Sequence, residues 1–386
     1  MNLYIHVPFC KSKCNYCAFH STCPTDIDWD KYTDEILEQL IIHNSEFLTP
    51  KNTVFQTVFF GGGTPSLMPV KYFEKIRRAV TLASNAEWTV EANPKTISSY
   101  DLLALKDFGV NRLSVGMQGF DDEALTWMGR IHSAKDATDL IESAAASGLR
   151  VSADFIYGFG GCDTRALCEK INKLPIEHAS LYELTIEDGT SFANMRTTIP
   201  LRRRRAGRET DGVVERLKIS KNDEELARDY ETIQTILRLP RYEVSNYGEP
   251  CRHNAAVWAG EQYIGIGESA AGRIILPGIG KNDFSREVAE KKNRSLPDVW
   301  AETKITGGRL IMTELSPAER AIEMVMTGLR TMRGVDVAAL PAQIINNNFV
   351  TARPEYFAPP TGGDTHLKMT DRGLLLLDSL LSEIIL

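Results

Sequence analysis

Apolar positions along this chain switch between a period near two and a period near 3.6, and each switch marks a strand giving way to a helix. Residues 3–7 read as a first strand, and residues 28–43 carry Tyr32, Ile36, Leu40 and Ile41 at helical spacing. A β-branched and aromatic run over 53–60 ends in Gly61-Gly62-Gly63-Thr64-Pro65-Ser66, with a helix expected over 70–83. Further strands at 88–92, 112–117, 151–156 and 180–186 alternate with helices at 100–108, 121–128, 134–147 and 164–174. Strands separated by helices imply parallel β/α units, because a parallel pair needs a crossover of a dozen or more residues. The expected fold class is α/β, with active residues just past the strand C-termini.

Beyond residue 186 the pattern breaks. Arg202-Arg203-Arg204-Arg205 and the mixed charge that follows carry no apolar periodicity. Residues 191–223 therefore read as a charged insertion, either a solvated loop or a contact for anionic lipid or an acidic partner. A core over 1–190 would precede it. An extension over 224–289 holds a helix at 224–237 and the motif His253-Asn254-Ala255-Ala256-Val257-Trp258. A last region over 290–386 holds a helix at 317–329 with Ser316 as its N-cap, and its leucine-rich end is winged-helix-like.

Hydrophobic content of 43% and charged content of 25% suit a soluble globular protein. A net charge of −7 gives no support to nucleic-acid binding. No apolar run approaches the ~20 residues of a membrane span, and no basic region precedes Leu3 as in a signal peptide. Seven cysteines, three of them in one loop, point to a reducing compartment and a metal site. The expected location is cytoplasmic, with peripheral membrane contact left open.

That loop is Cys10-x3-Cys14-x2-Cys17. Iron–sulfur clusters are usually held by four thiolates, so three leave one iron open to a small chelating molecule. Zinc, with His20 or Cys23 as a further ligand, is the alternative. C-x3-C-x2-C with an aromatic, Tyr16, before the last cysteine resembles the cluster loop of the radical S-adenosylmethionine (SAM) superfamily. The run Tyr4-Ile5-His6-Val7-Pro8-Phe9-Cys10 is similar to its oxygen-independent coproporphyrinogen III oxidase group, which includes the HemW heme chaperones. The resemblance implies an open (β/α)6 partial barrel and a 4Fe–4S cluster on Cys10, Cys14 and Cys17. SAM would complete the open iron and be cleaved by one electron to a 5′-deoxyadenosyl radical, chemistry that belongs to the cofactor.

The same resemblance implies SAM contacts. Gly62, Gly63 and Thr64 would meet the methionine amino group, where a plain tight turn is the simpler account of the glycines. Glu91 would accept from the ribose hydroxyls, although a strand-end carboxylate needs no ligand. Arg130 would pair with the SAM carboxylate rather than form a surface ion pair. Gln118, Tyr4 and Phe19 join the set, and Asp154, a strand carboxylate costly to bury without a partner, lies near the adenosyl group.

His253-Asn254…Trp258 is similar to the His-Asn-x-x-Tyr-Trp of the chaperone branch, with Val257 in place of the tyrosine. His253 would ligate heme iron and Trp258 would cover the macrocycle; a structural histidine is the alternative. Near Ala271, relatives often carry a histidine that this chain lacks. Oxidases of the group add a cysteine where this chain has Phe19, and a longer segment before the cluster, where this chain has nine residues. The resemblance thus implies a heme chaperone that serves acceptor heme proteins, with an electron donor as a further partner. A coproporphyrinogen III oxidase, an anaerobic heme-modifying enzyme and a zinc-stabilised binding protein are the alternatives.

Overall fold

The computed structural model describes residues 1–43, 53–198, 221–276, 299–341 and 344–385. The run Arg202–Arg205 and most of the expected insertion lie outside the described residues. The core begins β1 (Asn2–Val7), α1 (Trp29–His43), β2 (Val54–Gly62), α2 (Val70–Ala79), β3 (Thr81–Ala92), α3 (Ser99–Asp107) and β4 (Arg112–Gln118). It continues with α4 (Asp122–Trp127), α5 (Ala134–Ala146), β5 (Arg150–Tyr157), α6 (Thr164–Ile171) and β6 (His178–Glu183). Strands β1 to β6 are neighbours in chain order and all parallel. Helices α3 and α5 open on capping boxes, Ser98 with Asp101 and Ser133 with Asp136, which satisfy otherwise orphaned N–H groups.

Next come α7 (Ser191–Thr198), α8 (Asp223–Ile236), β7 (Asn246–Gly248), α9 (Arg252–Trp258), β8 (Tyr263–Ile266), β9 (Ala271–Leu276), β10 (Val299–Thr306) and β11 (Arg309–Glu314). They complete an eleven-stranded sheet in the order β11-β10-β9-β8-β1-β2-β3-β4-β5-β6-β7, which does not close into a barrel. Three features depart from expectation. β8 lies parallel to β1 as a seventh parallel strand, too short to give a periodic signal. Strands β10 and β11, which the sequence places in the C-terminal region, pair through β9 into the main sheet. The helix expected over 70–83 stops at Ala79 because Thr81 and Leu82 already pair with Val54 and Phe55.

Each core strand alternates in a direction unusual for a β/α barrel, whose interior is normally packed with branched apolar residues. Leu3, Ile5, Val58, Phe60, Trp88, Val90, Leu113 and Val115 pack outward with helix residues such as Ile36, Phe73, Leu105 and Ile141. The intervening positions are mostly polar and bond to one another across the inner face. Thr57 Oγ1 donates to Asn2 Oδ1 (2.9 Å), and the Ser152 hydroxyl meets His178 Nδ1 (2.7 Å). The apolar core lies between sheet and helices, and the hollow of the sheet is left for ligands.

The C-terminal unit comprises α10 (Pro317–Leu329), β12 (Val335–Asp336), α11 (Asn347–Thr351), β13 (Phe357–Ala358), β14 (His366–Met369), α12 (Asp371–Leu374) and α13 (Leu377–Ile384). Its own core gathers Val325, Leu329, Phe357, Leu367 and Ile384 around a small antiparallel sheet, β12-β14-β13. Ser316 caps α10, as expected. The unit is bound to the main domain by Arg330, whose Nε donates to the fully buried Glu243 carboxylate at 3.0 Å.

Candidate functional site

A cleft of about 530 Å³ opens at the C-terminal ends of the parallel strands. Cys10, Cys14, Cys17, Phe19, Gly62, Gly63, Thr64, Glu91, Gln118, Arg130 and Asp154 all line it. Residues more than 140 positions apart in sequence thus meet in one cavity, as the strand-end argument expects. Tyr4 stands behind the wall. Its ring stacks on Phe59 with centroids 6.2 Å apart, and its hydroxyl meets His6 Nδ1 at 2.9 Å.

The glycines serve the cluster loop directly. Gly63 N donates to Val7 O and Thr64 N to Phe9 O, both at 2.8 Å, so the exit of β2 clamps the start of the cysteine loop. A Cβ on Gly63 would lie 2.7 Å from Phe9 O. Gly62 has φ +106°, and a Cβ there would meet the His6 ring at 2.4 Å. The far side of the loop is held by Asn15, which donates to Met128 O from its N–H (2.9 Å) and to Trp127 O from its amide (2.7 Å).

Arg130 follows α4 and reaches back over the cysteines. Its Nη1 lies 3.3 Å from Cys14 Sγ, and its Nη2 donates to Gly116 O at 2.8 Å and to Asn93 Oδ1. Gln118 sits at a bulge between β4 and β5 with φ +67°, a strained left-handed conformation for a non-glycine residue. Below them lie two carboxyls. Burial, and then the neighbouring Asp154, push the Glu91 carboxyl up to about 8, although Gly62 N donates to its Oε2 at 3.1 Å. Burial also raises the Asp154 carboxyl, against the hydroxyls of Ser180 and Ser114 and the charge of Arg112.

His6 is a site residue that motif reading passed over. Its ring ties Tyr4 to the cluster loop, with Nε2 at 2.9 Å from His20 O, and burial lowers its pKa, which favours the neutral form. The signal was the alternation Asn2-Leu3-Tyr4-Ile5-His6-Val7, which places the polar residues on the inner face of β1.

His253 and Trp258, to which the resemblance gives heme, do not line the cleft. His253 is buried on the floor of the sheet, near the start of β2. Its Nδ1 meets Thr57 Oγ1 at 2.8 Å, its N–H donates to Glu87 at 3.2 Å, and its ring lies 5.3 Å from that of Phe59. A macrocycle would have to displace this packing to reach it. Trp258 lies against Tyr242, with ring centroids 6.2 Å apart, and 5.6 Å from the Arg330 guanidinium at the C-terminal unit. His253→Ala should lower the unfolding free energy by about 2–4 kcal/mol in urea denaturation, through a cavity and a lost hydrogen bond. Burial pushes the His253 pKa down to about 3, so the unfolded chain takes up that proton first. Its contribution to stability is therefore lost as pH falls from the ordinary histidine range toward 3.

A family model described as the radical SAM superfamily matches residues 4–166. The bovine "Radical S-adenosyl methionine domain-containing protein 1, mitochondrial" is 32% identical over 86% of this chain and 74% of its own length. The chain belongs to the radical SAM superfamily. Within it, the Escherichia coli "Heme chaperone HemW" is 32% identical over 72% of this chain and 71% of its own, and the Synechocystis protein of that name is 30% identical over 88% and 80%. The solved structure of Escherichia coli coproporphyrinogen III oxidase (HemN) superposes with a TM-score of 0.69 over 99% of this chain and 89% of that one. At 16% identity that likeness concerns the fold.

Membership in the radical SAM superfamily implies a 4Fe–4S cluster and SAM, and the residues fit both. Three thiols face one cleft beside a guanidinium and a clamped glycine turn. No helix among the described residues is long and apolar enough to cross a membrane.

Proposed function

We propose that the protein is a heme chaperone that uses a radical SAM site, taking up heme and passing it to acceptor heme proteins. The observation that carries this reading is its similarity to bacterial proteins named heme chaperones, which extends over as much as 88% of the chain. Cys10, Cys14 and Cys17 would hold the cluster, and Gly62, Gly63, Thr64, Glu91, Gln118, Arg130 and Asp154 would hold SAM. When bound, the pair supplies one-electron chemistry fed by an electron donor. The chain's own residues hold the cluster loop against β1 and β2, keep a guanidinium beside the thiols and present carboxyls to the ribose.

Phe19 supports a cargo site at the mouth of the cleft rather than at His253. It is 69% exposed and lines the cleft. An aromatic ring there suits the face of a macrocycle. Anaerobic, cluster-loaded protein should bind heme and transfer it to an apo heme protein, as followed by the absorbance of the acceptor. In parallel, coproporphyrinogen III with SAM and reductant should give no protoporphyrinogen IX above a control without protein. Product above that control would restore the oxidase reading.

A further inference from the structure

The cleft carries two cations that the SAM site does not use. Arg130, Lys11 and Lys13 all line it. Arg130 is engaged inside, where it donates to Gly116 O at 2.8 Å and lies beside Cys14 Sγ. Lys11 and Lys13 are exposed and flank Ser12 within the cysteine loop. Lys11 Nζ donates to Lys95 O at 2.9 Å, and Lys13 Nζ donates to Phe19 O at 2.5 Å and to Ser21 Oγ at 2.8 Å. All three acceptors are uncharged, and neither lysine forms an ion pair with a described residue. Lys95 gives only its carbonyl, because its own ammonium is paired with Asp136 at 2.7 Å. An ammonium has three N–H donors, so donors remain on both lysines with no anion to meet them.

These donors stand beside apolar surface. The Lys13 ammonium is bonded to the backbone of Phe19, whose side chain is exposed, and Ile131 and Tyr182, 54% and 44% exposed, line the same cleft. Large apolar side chains left exposed around one cavity mark a binding surface. The acidic groups nearest the opening, Glu183 and Glu187, come from the end of β6 and just beyond it, at the other end of the parallel row from β1. An occupant with an apolar face and a negatively charged edge is therefore oriented by charge. Its carboxylates go to the cysteine loop, and its uncharged edge goes toward Tyr182, away from Glu183 and Glu187.

We propose that Lys11 and Lys13 form the carboxylate subsite for the tetrapyrrole cargo, pairing with its propionates while Phe19 packs on the macrocycle. The inference rests on the heme reading above and adds to it the direction in which the cargo lies. Propionates are common to heme and to coproporphyrinogen III, so the subsite recognises a tetrapyrrole carboxylate, and the test separates the two sources.

The test titrates anaerobic, cluster-loaded protein with heme and with heme dimethyl ester, whose propionates are blocked, in the same dilute non-ionic detergent. Wild type should bind heme about tenfold more tightly than the ester. Lys11→Gln and Lys13→Gln should each weaken heme binding about two- to fivefold, the range for exposed ion pairs, and the double variant about tenfold. None of them should change the affinity for the ester, and Lys11→Arg, which keeps the charge, should bind heme as the wild type does. Iron content reports whether the loop still holds its cluster; if Lys13→Gln loses iron, Lys11→Gln and Lys11→Arg carry the test. Heme affinity indifferent to both lysines, or an equal loss for heme and ester, overturns the subsite. Coproporphyrin III is titrated in parallel: if the lysines matter for it and not for heme, the subsite belongs to an oxidase substrate and the cargo assignment falls. A wild type that binds neither heme nor its ester overturns the chaperone reading instead.

Discussion

Alanine at Cys10, Cys14 or Cys17 should abolish the charge-transfer absorbance of reconstituted protein, while Cys23→Ala should leave it intact. The wild type should carry about four irons per chain, and each of the three variants should fall to the background of unreconstituted protein. The expectation rests on where the seven thiols lie. Three line the cleft. Cys23 is exposed and outside that lining, although only six residues beyond Cys17. Cys168 and Cys251 are buried elsewhere, one in the core under α6 and the other against Glu87. Cys162 is half-buried near the start of α6, where burial pushes its thiol up to about 11, far from the thiolate a metal needs. Iron analysis decides the matter: loss of iron in Cys23→Ala would mean that the three cysteines do not suffice and that the open-iron arrangement is wrong.

The second large effect is expected at Glu91. Glu91→Ala should weaken SAM binding about 10- to 150-fold, the range for hydrogen bonds to a charged group. Iron content should not change, because Glu91 contacts the loop through Gly62 N and holds no iron. The pH response carries a sign that can be checked. Burial and Asp154 place the carboxyl at about 8 in the empty cleft, whereas in the unfolded chain it titrates near 4.5. As pH rises from about 4.5 to 8, the unfolded state loses this proton first, so the group progressively destabilises the fold. Glu91→Gln should therefore raise the melting temperature of SAM-free protein at pH 8–9 while weakening SAM binding. Thermal scans with and without SAM read both effects. A glutamine variant less stable than wild type at that pH would show that burial and Asp154 do not raise the carboxyl.

The relation between these two sites explains why the glycine run is so constrained. Gly62 donates to Glu91 and leaves space for His6, while Gly63 and Thr64 bind the backbone that leads to Cys10. One turn therefore fixes the cluster loop and the ribose carboxyl together. A side chain there would disturb both.

Much of this was legible locally. The cysteine spacing, the glycine run after β2 and the alternation of strands with helices lie within short windows, and short-range periodicity reports them well. Helix α10 and its Ser316 cap are of the same kind. The polar inner face was also written in the strands, as Asn2, Tyr4 and His6 or Arg112, Ser114 and Gly116, a period-two pattern that reading for hydrophobic runs passes over. What the tertiary structure alone decided depends on pairing between distant segments. A four-residue β8 becomes a parallel strand because β1 offers it a free edge, and β10 and β11 join the main sheet through β9. Motif spacing placed His253 beside Trp258, but docking of α9 under the sheet buried the histidine against Thr57 and turned the tryptophan toward Arg330. The reach of a side chain along the chain is local, whereas its solvent, partners and charge are set by whatever the fold brings against it. For that reason the sequence could name the three cysteines of the loop but not the buried surroundings of His253.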